Sequence, residues 1–402
     1  MKAIQGGVCA AKGFTAGAIH SGIRKAKTKE DLALIVSSVP CQCAAVYTKN
    51  QVKADPLQVT KEHLGNHRAQ AVIVNSGNAN ACAVNGYANA VRQAQAAADY
   101  LSIPAEDVLV ASTGVIGQEL PIECIEKAVK DIKLSADNND LCAKAILTTD
   151  TKEKIAAVSF EIDGVSCALG GIAKGSGMIH PNMGTMLAFI TTDCAVSGEL
   201  LQKLLVKHTN VTFNRVSVDG DTSTNDMCIV MANGLAGNKC IETENENSMI
   251  LEQALHYVME ELAKMIAADG EGADRLMTCA VSGAKDEATA ETLAMSICSS
   301  SLVKAAMFGA DANWGRVLCA MGYAKASFDP SLVSISFSSK AGEICVCENG
   351  KGLLFDEEKA KEILSQEDIT IAAELHQGDG KAVCWGCDLT YDYVKINGDY
   401  RT

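Results

Sequence analysis

The sequence is poor in proline, in aromatic residues and in basic charge, and each shortage excludes a class of protein. Six prolines and 4% aromatic residues in 402, together with 48% hydrophobic residues, indicate a globular chain without disordered tails or linkers. A net charge of −14 argues against a surface that tracks nucleic acid or binds anionic membranes. Because no apolar run approaches the length of a membrane helix, we expect neither a membrane span nor a signal peptide.

Cysteine, in contrast, is abundant. The seventeen cysteines are odd in number and scattered, which favours reduced thiols in a cytoplasmic protein. Cys41 and Cys43, and likewise Cys345 and Cys347, are spaced by one residue, so each pair is expected on one face of a strand as core filling. The Cys384–Cys387 pair has neither a second CxxC nor paired histidines at zinc spacing, and we expect no metal site.

The order of strand and helix patterns predicts a mixed α/β (α+β) fold. A chain of this length suits one large or two ordinary domains. We expect a catalytic core over 1–280 and a smaller, hairpin-rich α+β domain over 281–402. The clearest helix is predicted at 248–268, where apolar residues recur on one stripe, and a single long helix is predicted at 286–307.

The stretch Gly170–Asp193 organises the chain. Five glycines make a flexible, almost uncharged loop, which then enters an apolar strand that begins at Thr185. Local pattern allows two interpretations: Thr185 is merely the first β-branched residue of a buried strand, or it is a nucleophile. The second is chemically reasonable because the strand would fix the Cα while the loop leaves the hydroxyl reachable.

Several polar turns are further candidates for the site, each with a structural alternative. The asparagine-rich run 75–82 follows a strand, so it either presents groups to a ligand or satisfies its own backbone. Thr113 and Gly114 end another strand, where a glycine can free backbone N–H groups for a ligand. The hydroxyl cluster 148–152 is typical of a helix terminus. Glu271, between two glycines, is either a solvated loop acid or a carboxylate aimed into a site.

These motifs together resemble those of one family over nearly the whole chain. Lys174–Ile179 and Pro181–Leu187 resemble the self-cleavage motif of the ornithine acetyltransferases, the bifunctional glutamate N-acetyltransferases of arginine biosynthesis. The runs NSGNANAC, STGVIG, DGEGA and NWGR also match. The resemblance implies an αββα-type layered sandwich of the self-cleaving N-terminal-nucleophile kind.

The resemblance also implies a mechanism. The chain would cleave itself between Gly184 and Thr185, and Thr185 would become the nucleophile with its freed α-amine as base. Such an amine has a pKa near neutrality, where a base works best. Thr113 and Gly114 would form the oxyanion hole. His180 is then not needed as a base and is expected to be structural or solvated.

The implied reaction passes an acetyl group from N2-acetylornithine to glutamate. Some members of the family also accept acetyl-CoA as donor, and no cofactor is implied. The cleaved segments 1–184 and 185–402 would pair as an α2β2 heterotetramer. The residues implied to bind substrate are Thr151, Lys174, Thr185, Glu271, Asn397 and Thr402.

One departure from the family lies at the scissile bond. Residue 184 is glycine where alanine is usual, and because glycine imposes less conformational strain, cleavage could be slower. Two other functions compete with acetyl transfer. The first is a self-cleaving aminopeptidase or amidase of related fold, which would hydrolyse its acyl-enzyme. The second is a non-catalytic amino-acid-binding protein, whose chain would stay intact.

Overall fold

The computed structural model describes residues 1–25, 29–180 and 186–399. These residues form sixteen strands and eleven α-helices. The strands are β1 Lys2–Ala3, β2 Phe14–Ile19, β3 Leu32–Tyr47, β4 Arg68–Asn78, β5 Val108–Val115, β6 Lys154–Ile162, β7 Val165–Lys174, β8 Leu187–Thr192, β9 Val216–Ser217, β10 Met227–Ala232, β11 Leu276–Ala284, β12 Ser334–Ser339, β13 Gly342–Glu348, β14 Lys351–Gly352, β15 Asp368–Glu374 and β16 Gly380–Cys387. The helices are α1 Asp55–His63, α2 Gly86–Leu101, α3 Ile122–Ala128, α4 Asn139–Ala145, α5 Gly198–Val211, α6 Glu246–Ala268, α7 Glu287–Ser299, α8 Ser301–Phe308, α9 Trp314–Gly322, α10 Glu357–Leu364 and α11 Tyr391–Asp399.

The larger sheet has the strand order β1-β6-β7-β8-β10-β3-β4-β5, with β2 paired to β3. Its pairs β8–β10 and β4–β5 are parallel. Every residue of β8 and β10 is buried, as expected for apolar strands that are covered on both faces. These two strands therefore form the rigid centre of the sheet. One of them, β8, belongs to the stretch Gly170–Asp193 around which the sequence is organised.

The smaller sheet has the order β14-β13-β12-β15-β11-β16-β9. Helix α6 contacts strands of both sheets. Its apolar stripe, including Leu255 and Leu262, lies in one core cluster with Ile190 of β8 and Trp385 of β16. A capping box between Asn245 and Ser248 fixes the start of α6. The helix thus holds the two sheets together, and its carboxyl end reaches the site described below.

The mixed α/β fold with layered sheets is confirmed. Helix α6 is found as predicted. The pair Asp163-Gly164 predicts a hairpin within 154–169, and this hairpin is found as β6–β7. Both turn residues have positive φ, typical of a type I′ turn. The domain boundary at 280/281 stays a prediction. The smaller sheet already begins at β11 and also takes β9 from the preceding part of the chain.

Two local predictions are wrong. The single helix over 286–307 is two helices, because the Ser300 side chain accepts a hydrogen bond from Val303 N and caps a new helix. Pro56 is also predicted to end a strand, because proline cannot continue one, but it lies in the first turn of α1, where its missing N–H costs nothing. The chain end 391–399 forms helix α11, although no residue of that helix is buried.

The cysteine pairs differ. Cys41 and Cys43 are both buried, as predicted for one face of a strand. Cys345 is exposed while Cys347 is buried, because the register shifts at this point of the β12–β13 pair. A bulge of this kind turns the next side chain to the other face. Within the described ranges, no group of three or more His, Cys, Asp or Glu side chains could hold a metal ion.

No helix in the described part of the chain is both long and apolar enough to cross a membrane.

Candidate active site

A cleft of about 120 Å³ lies where the carboxyl ends of β5 and β7 meet the loop after α6. Such strand ends are the usual place for ligands in α/β folds. Hydroxyl groups, amides and two opposite charges surround the cleft. Its lining residues are Thr113, Gly114, Ile116, Thr148, Thr149, Lys174, Gly177, Met178, Ser223, Thr224, Asn225, Glu271 and Asn397.

The turn at the end of β5 depends on Gly114. Its φ is +136°, a conformation that side chains with a Cβ rarely adopt. A Cβ on Gly114 would lie 2.4 Å from the backbone carbon of Gly77 and 2.5 Å from the nitrogen of Asn78, which belong to the neighbouring strand β4. The two strand ends therefore approach as closely as their backbones allow, and they hold Thr113 at the wall of the cleft.

Lys174, the last residue of β7, supplies the positive charge of the cleft. Its ammonium group is buried and lies 3.8 Å from Oδ2 of Asp150. Burial lowers the pKa of Lys174, and the carboxylate of Asp150 opposes that effect most strongly. Burial by itself would raise the pKa of Asp150, but the charges of Lys174 and Lys154 outweigh it and hold that pKa well below its ordinary value.

Glu271 supplies the negative charge. Its Oε2 accepts a hydrogen bond of 2.8 Å from Nδ2 of Asn397 on α11, and its backbone N donates to Ser176 O at 3.0 Å. Gly177 packs directly against this side chain, since a Cβ on Gly177 would lie 2.3 Å from Cδ of Glu271. Glycine at 177 thus leaves the space that the carboxylate occupies.

The polar loop between β9 and β10 closes another side of the cleft. Asn225 Nδ2 donates to the carbonyl oxygens of Ala79, at 2.7 Å, and of Ser112, at 2.9 Å, which anchors this loop to the ends of β4 and β5. Asp219 accepts from the backbone N of Met178 at 2.6 Å and of Ile179 at 2.9 Å. These polar side chains therefore fix the walls of the site.

The structure brings five predicted site residues to this one cleft: Thr113, Gly114, Lys174, Glu271 and Asn397. Three others cannot be placed, since Gly184, Thr185 and Thr402 lie outside the described residues. Their roles stay predictions.

Thr151 is not among the lining residues of the cleft. Its hydroxyl donates to Oδ1 of Asp269, and its neighbours Thr148 and Thr149 face the cleft instead. The hydroxyl cluster 148–152 thus contributes Thr148 and Thr149, and not Thr151, to the wall of the cleft. A substrate contact by Thr151 stays a prediction.

Two other predicted features serve structure. In the run 75–82, Asn75 Nδ2 donates to Asn78 O at 2.9 Å and Asn80 Nδ2 to Gly86 O at 2.8 Å, so these side chains satisfy local backbone. His180 is partly buried, with its Nδ1 3.0 Å from Oγ of Ser217. Burial lowers its pKa.

Comparison with known proteins decides the family. Residues 15–402 match the ArgJ family. A relative from Clostridium acetobutylicum, "Arginine biosynthesis bifunctional protein ArgJ 1", is 48% identical over 394 residues, covering 97% of this chain and 96% of its own. A relative from Caldanaerobacter subterraneus subsp. tengcongensis is 47% identical over the full length of both chains.

This chain belongs to the ArgJ family.

Among solved structures, the Arginine biosynthesis bifunctional protein argJ from Bacillus halodurans is similar, with 43% identity and a TM-score of 0.50. The match covers 52% of this chain and 97% of that chain. The predicted resemblance is confirmed. Membership of the ArgJ family does not favour the two alternatives, a peptidase or amidase and a non-catalytic binding protein.

A buried carboxyl group beside the cleft was not predicted. Asp226 is 0% exposed, and its Oδ1 accepts from Met186 N at 3.0 Å. Within the described ranges its Oδ2 has no hydrogen-bond partner. The signal for this group in the sequence was weak, since Asp226 is one acid in a polar run that ends where a buried strand begins. In this member of the ArgJ family, burial raises the pKa of Asp226 well above its ordinary value, and Lys174 acts against that rise.

Asp226→Asn is expected to remove a pH-dependent loss of stability. An acid with a raised pKa in the folded state costs free energy of folding once the pH exceeds its unfolded pKa, about 4. Each unit of elevation costs about 1.4 kcal/mol. The free energy of unfolding of the natural chain should therefore fall between pH 4 and pH 7 more than that of Asp226→Asn. Urea unfolding of the natural chain and of Asp226→Asn, compared in the same cleavage state, measures this difference in the free energy of unfolding. Parallel pH profiles of the two proteins would contradict the prediction.

Proposed function

We propose that this chain transfers the acetyl group of N2-acetylornithine to glutamate through an acetyl ester on Thr185. The observation that carries the proposal is one cleft that combines Lys174, Glu271 and the Thr113-Gly114 turn in a chain of the ArgJ family. The relatives are named bifunctional proteins of arginine biosynthesis. Acetyl transfer from acetyl-CoA to glutamate is the second activity in the proposal, and no cofactor takes part.

The charges of the cleft suit an N-acetylated diamino acid. The ammonium of Lys174 pairs with the α-carboxylate of the substrate, and the carboxylate of Glu271 pairs with its side-chain ammonium. Asn397 orients Glu271 through the hydrogen bond of its amide. Because both charges lie in a concave, partly buried site, water competes with them less than at an open surface. Binding by two opposite charges also fixes the direction in which the acetyl group points.

The reaction begins with cleavage of the chain. The hydroxyl of Thr185 attacks the carbonyl carbon of Gly184, and the C–N bond breaks as the ester forms. The nitrogen released from that bond takes the hydroxyl proton and becomes the free α-amine of Thr185. Water then hydrolyses the ester, which leaves Gly184 as a carboxylate and restores the hydroxyl of Thr185. In turnover this amine takes the proton of its own hydroxyl, which attacks the acetyl carbonyl and releases ornithine. The amine of glutamate then takes the acetyl group from the ester.

The Thr113-Gly114 turn supplies the oxyanion hole in this proposal. Each tetrahedral intermediate places a negative charge on the former carbonyl oxygen. Donors held rigidly at that position stabilise the intermediate without reorganising. The close backbone contact between Gly114 and β4 provides that rigidity.

Cleavage would leave the two segments hydrogen-bonded in one sheet. Strands β8 and β10 come from the segment 185–402, and they lie between β7 and β3 of the segment 1–184. Separation would break two ladders and expose strands that are buried throughout. This arrangement supports segments that stay associated, and the α2β2 heterotetramer is part of the proposal.

The dependence of acetylornithine loss on glutamate tests the proposal. A transferase consumes N2-acetylornithine at a sustained rate only when glutamate is present, and N-acetylglutamate appears in equal amount. A hydrolase of related fold consumes acetylornithine at the same rate with and without glutamate and releases acetate. Initial rates at several fixed glutamate concentrations should give the parallel double-reciprocal lines of a ping-pong reaction.

A further inference from the structure

Four buried side chains of alternating charge form a continuous chain beneath the cleft. Lys174 Nζ lies 3.8 Å from Asp150, Asp150 lies 2.8 Å from Lys154 Nζ, and Lys154 Nζ lies 2.6 Å from Asp269. Each of the four side chains is at most 5% exposed. Two positive and two negative charges balance, as buried charges must to avoid a large desolvation cost.

The two ends of this charge chain lie at the two charged residues of the cleft, Lys174 and Glu271. At one end is Lys174 itself, and the next backbone N, of Gly175, donates to Asp150 at 2.6 Å. At the other end, Asp269 O accepts from Ser176 Oγ at 2.7 Å. Asp269 lies two residues before Glu271 and caps the end of α6. The loop that carries Glu271 and the end of β7 that carries Lys174 are thus tied together.

We propose that Asp150 is a positioning residue of the site, which pairs with the ammonium of Lys174 and, through Lys154 and Asp269, sets its separation from Glu271. The inference rests on the proposed function, because it assigns these two charges to one substrate. None of the three residues Asp150, Lys154 and Asp269 lines the cleft. Their effect on the substrate is therefore indirect, through Lys174 and through the loop of Glu271.

The charged surroundings of Lys174 explain why Asp150 is needed. Burial and Lys154 both lower the pKa of Lys174, whereas Asp150, Asp226 and Glu271 raise it. Among the raising charges, Asp150 has the largest effect. Burial also raises the pKa of Asp226 well above its ordinary value. Without Asp150, the buried ammonium of Lys174 lacks its strongest opposing charge and loses its proton at lower pH.

The test is the pH dependence of KM for N2-acetylornithine between pH 6.5 and 9, measured on cleaved protein. The natural chain should keep an almost constant KM because the carboxylate of Asp150 acts against the loss of the Lys174 proton. In Asp150→Asn the pKa of Lys174 should fall, and KM should rise with pH, by up to about tenfold for each pH unit above that pKa. Asp150→Glu keeps the charge, so its KM should be higher than that of the natural chain but nearly independent of pH.

Asp193→Asn is the matched control. Asp193 is also buried, and it accepts from the backbone N of Lys12 and of Ala168 beyond the opposite end of β8. This variant should lose stability without any change in the pH profile. Lys174→Met should raise KM at every pH, and adding Asp150→Asn to it should add no pH dependence.

The outcomes separate this inference from the proposed function. A pH-independent KM in Asp150→Asn, with an active natural chain, would overturn the positioning role and leave the transferase proposal intact. A pH-dependent KM in Asp150→Glu would overturn it in the same way and remain decisive if Asp150→Asn does not fold. Absence of acetyl transfer in the natural chain would overturn the proposed function, and this inference with it.

Discussion

Thr185→Ala is expected to give one uncut chain with no measurable acetyl transfer. The substitution removes the hydroxyl that attacks the carbonyl of Gly184 and, after cleavage, the acetyl group of the substrate. Removal of a comparable serine nucleophile lowers kcat about 10⁶-fold. Electrophoresis of the denatured protein measures cleavage, and release of ornithine measures transfer. The folded state should persist, because β8, from Leu187 to Thr192, and β10 are buried along their whole length.

Thr185→Ser is the control for this prediction. It keeps a hydroxyl and, after cleavage, a free α-amine at the same position. We expect it to be cleaved and to transfer acetyl groups at a reduced but measurable rate. An alanine variant that is still cut between residues 184 and 185, or that still turns over, would contradict the assignment of Thr185 as the nucleophile.

Gly114→Ala is expected to have the second largest effect. A Cβ there would lie within 2.5 Å of two backbone atoms of β4, and backbone atoms cannot rotate away as a flexible side chain can. The end of β5 must therefore shift, and the oxyanion donors shift with it. Loss of one such donor lowers kcat about 10² to 10³-fold. Overpacking of this kind also costs about 1 to 3 kcal/mol of stability. Kinetics of the cleaved fraction and urea unfolding measure the two effects.

Gly117→Ala separates backbone strain from displacement of the site. Gly117 has φ +78°, and no heavy atom would lie within 4 Å of its Cβ. It should therefore lose about 1 kcal/mol of stability through its backbone conformation with kcat nearly unchanged. Equal losses of kcat in Gly114→Ala and Gly117→Ala would contradict the role of the close contact between the two strand ends.

The sequence predicted the elements that carry their own periodicity. Helix α6 was predictable because its apolar residues recur on one stripe, and the turn at Asp163-Gly164 because those residues tolerate positive φ. The break at Ser300 was missed since the apolar pattern continues across it. The bulge that exposes Cys345 depends on the pairing of β12 with β13, which no local pattern reveals.

The candidate site was predicted in part. Thr113, Gly114, Lys174, Glu271 and Asn397 are separated by up to 284 residues, and only the family resemblance suggested that they act together. The buried charge chain through Asp150 and Lys154 was not predicted. An acid and a lysine four residues apart are usually a solvated pair. Here α6 packs against β6, which begins at Lys154, and Asp269 at the end of α6 pairs with that lysine, contacts that no local pattern reveals.

The most direct test of the central claim is the intact mass of the purified, denatured protein, before and after brief incubation with N2-acetylornithine. The account predicts two fragments that meet at Gly184/Thr185, and a gain of one acetyl group by the fragment 185–402 alone. A single uncut chain that gains no acetyl group would contradict both the self-cleavage and the acetyl-threonine intermediate.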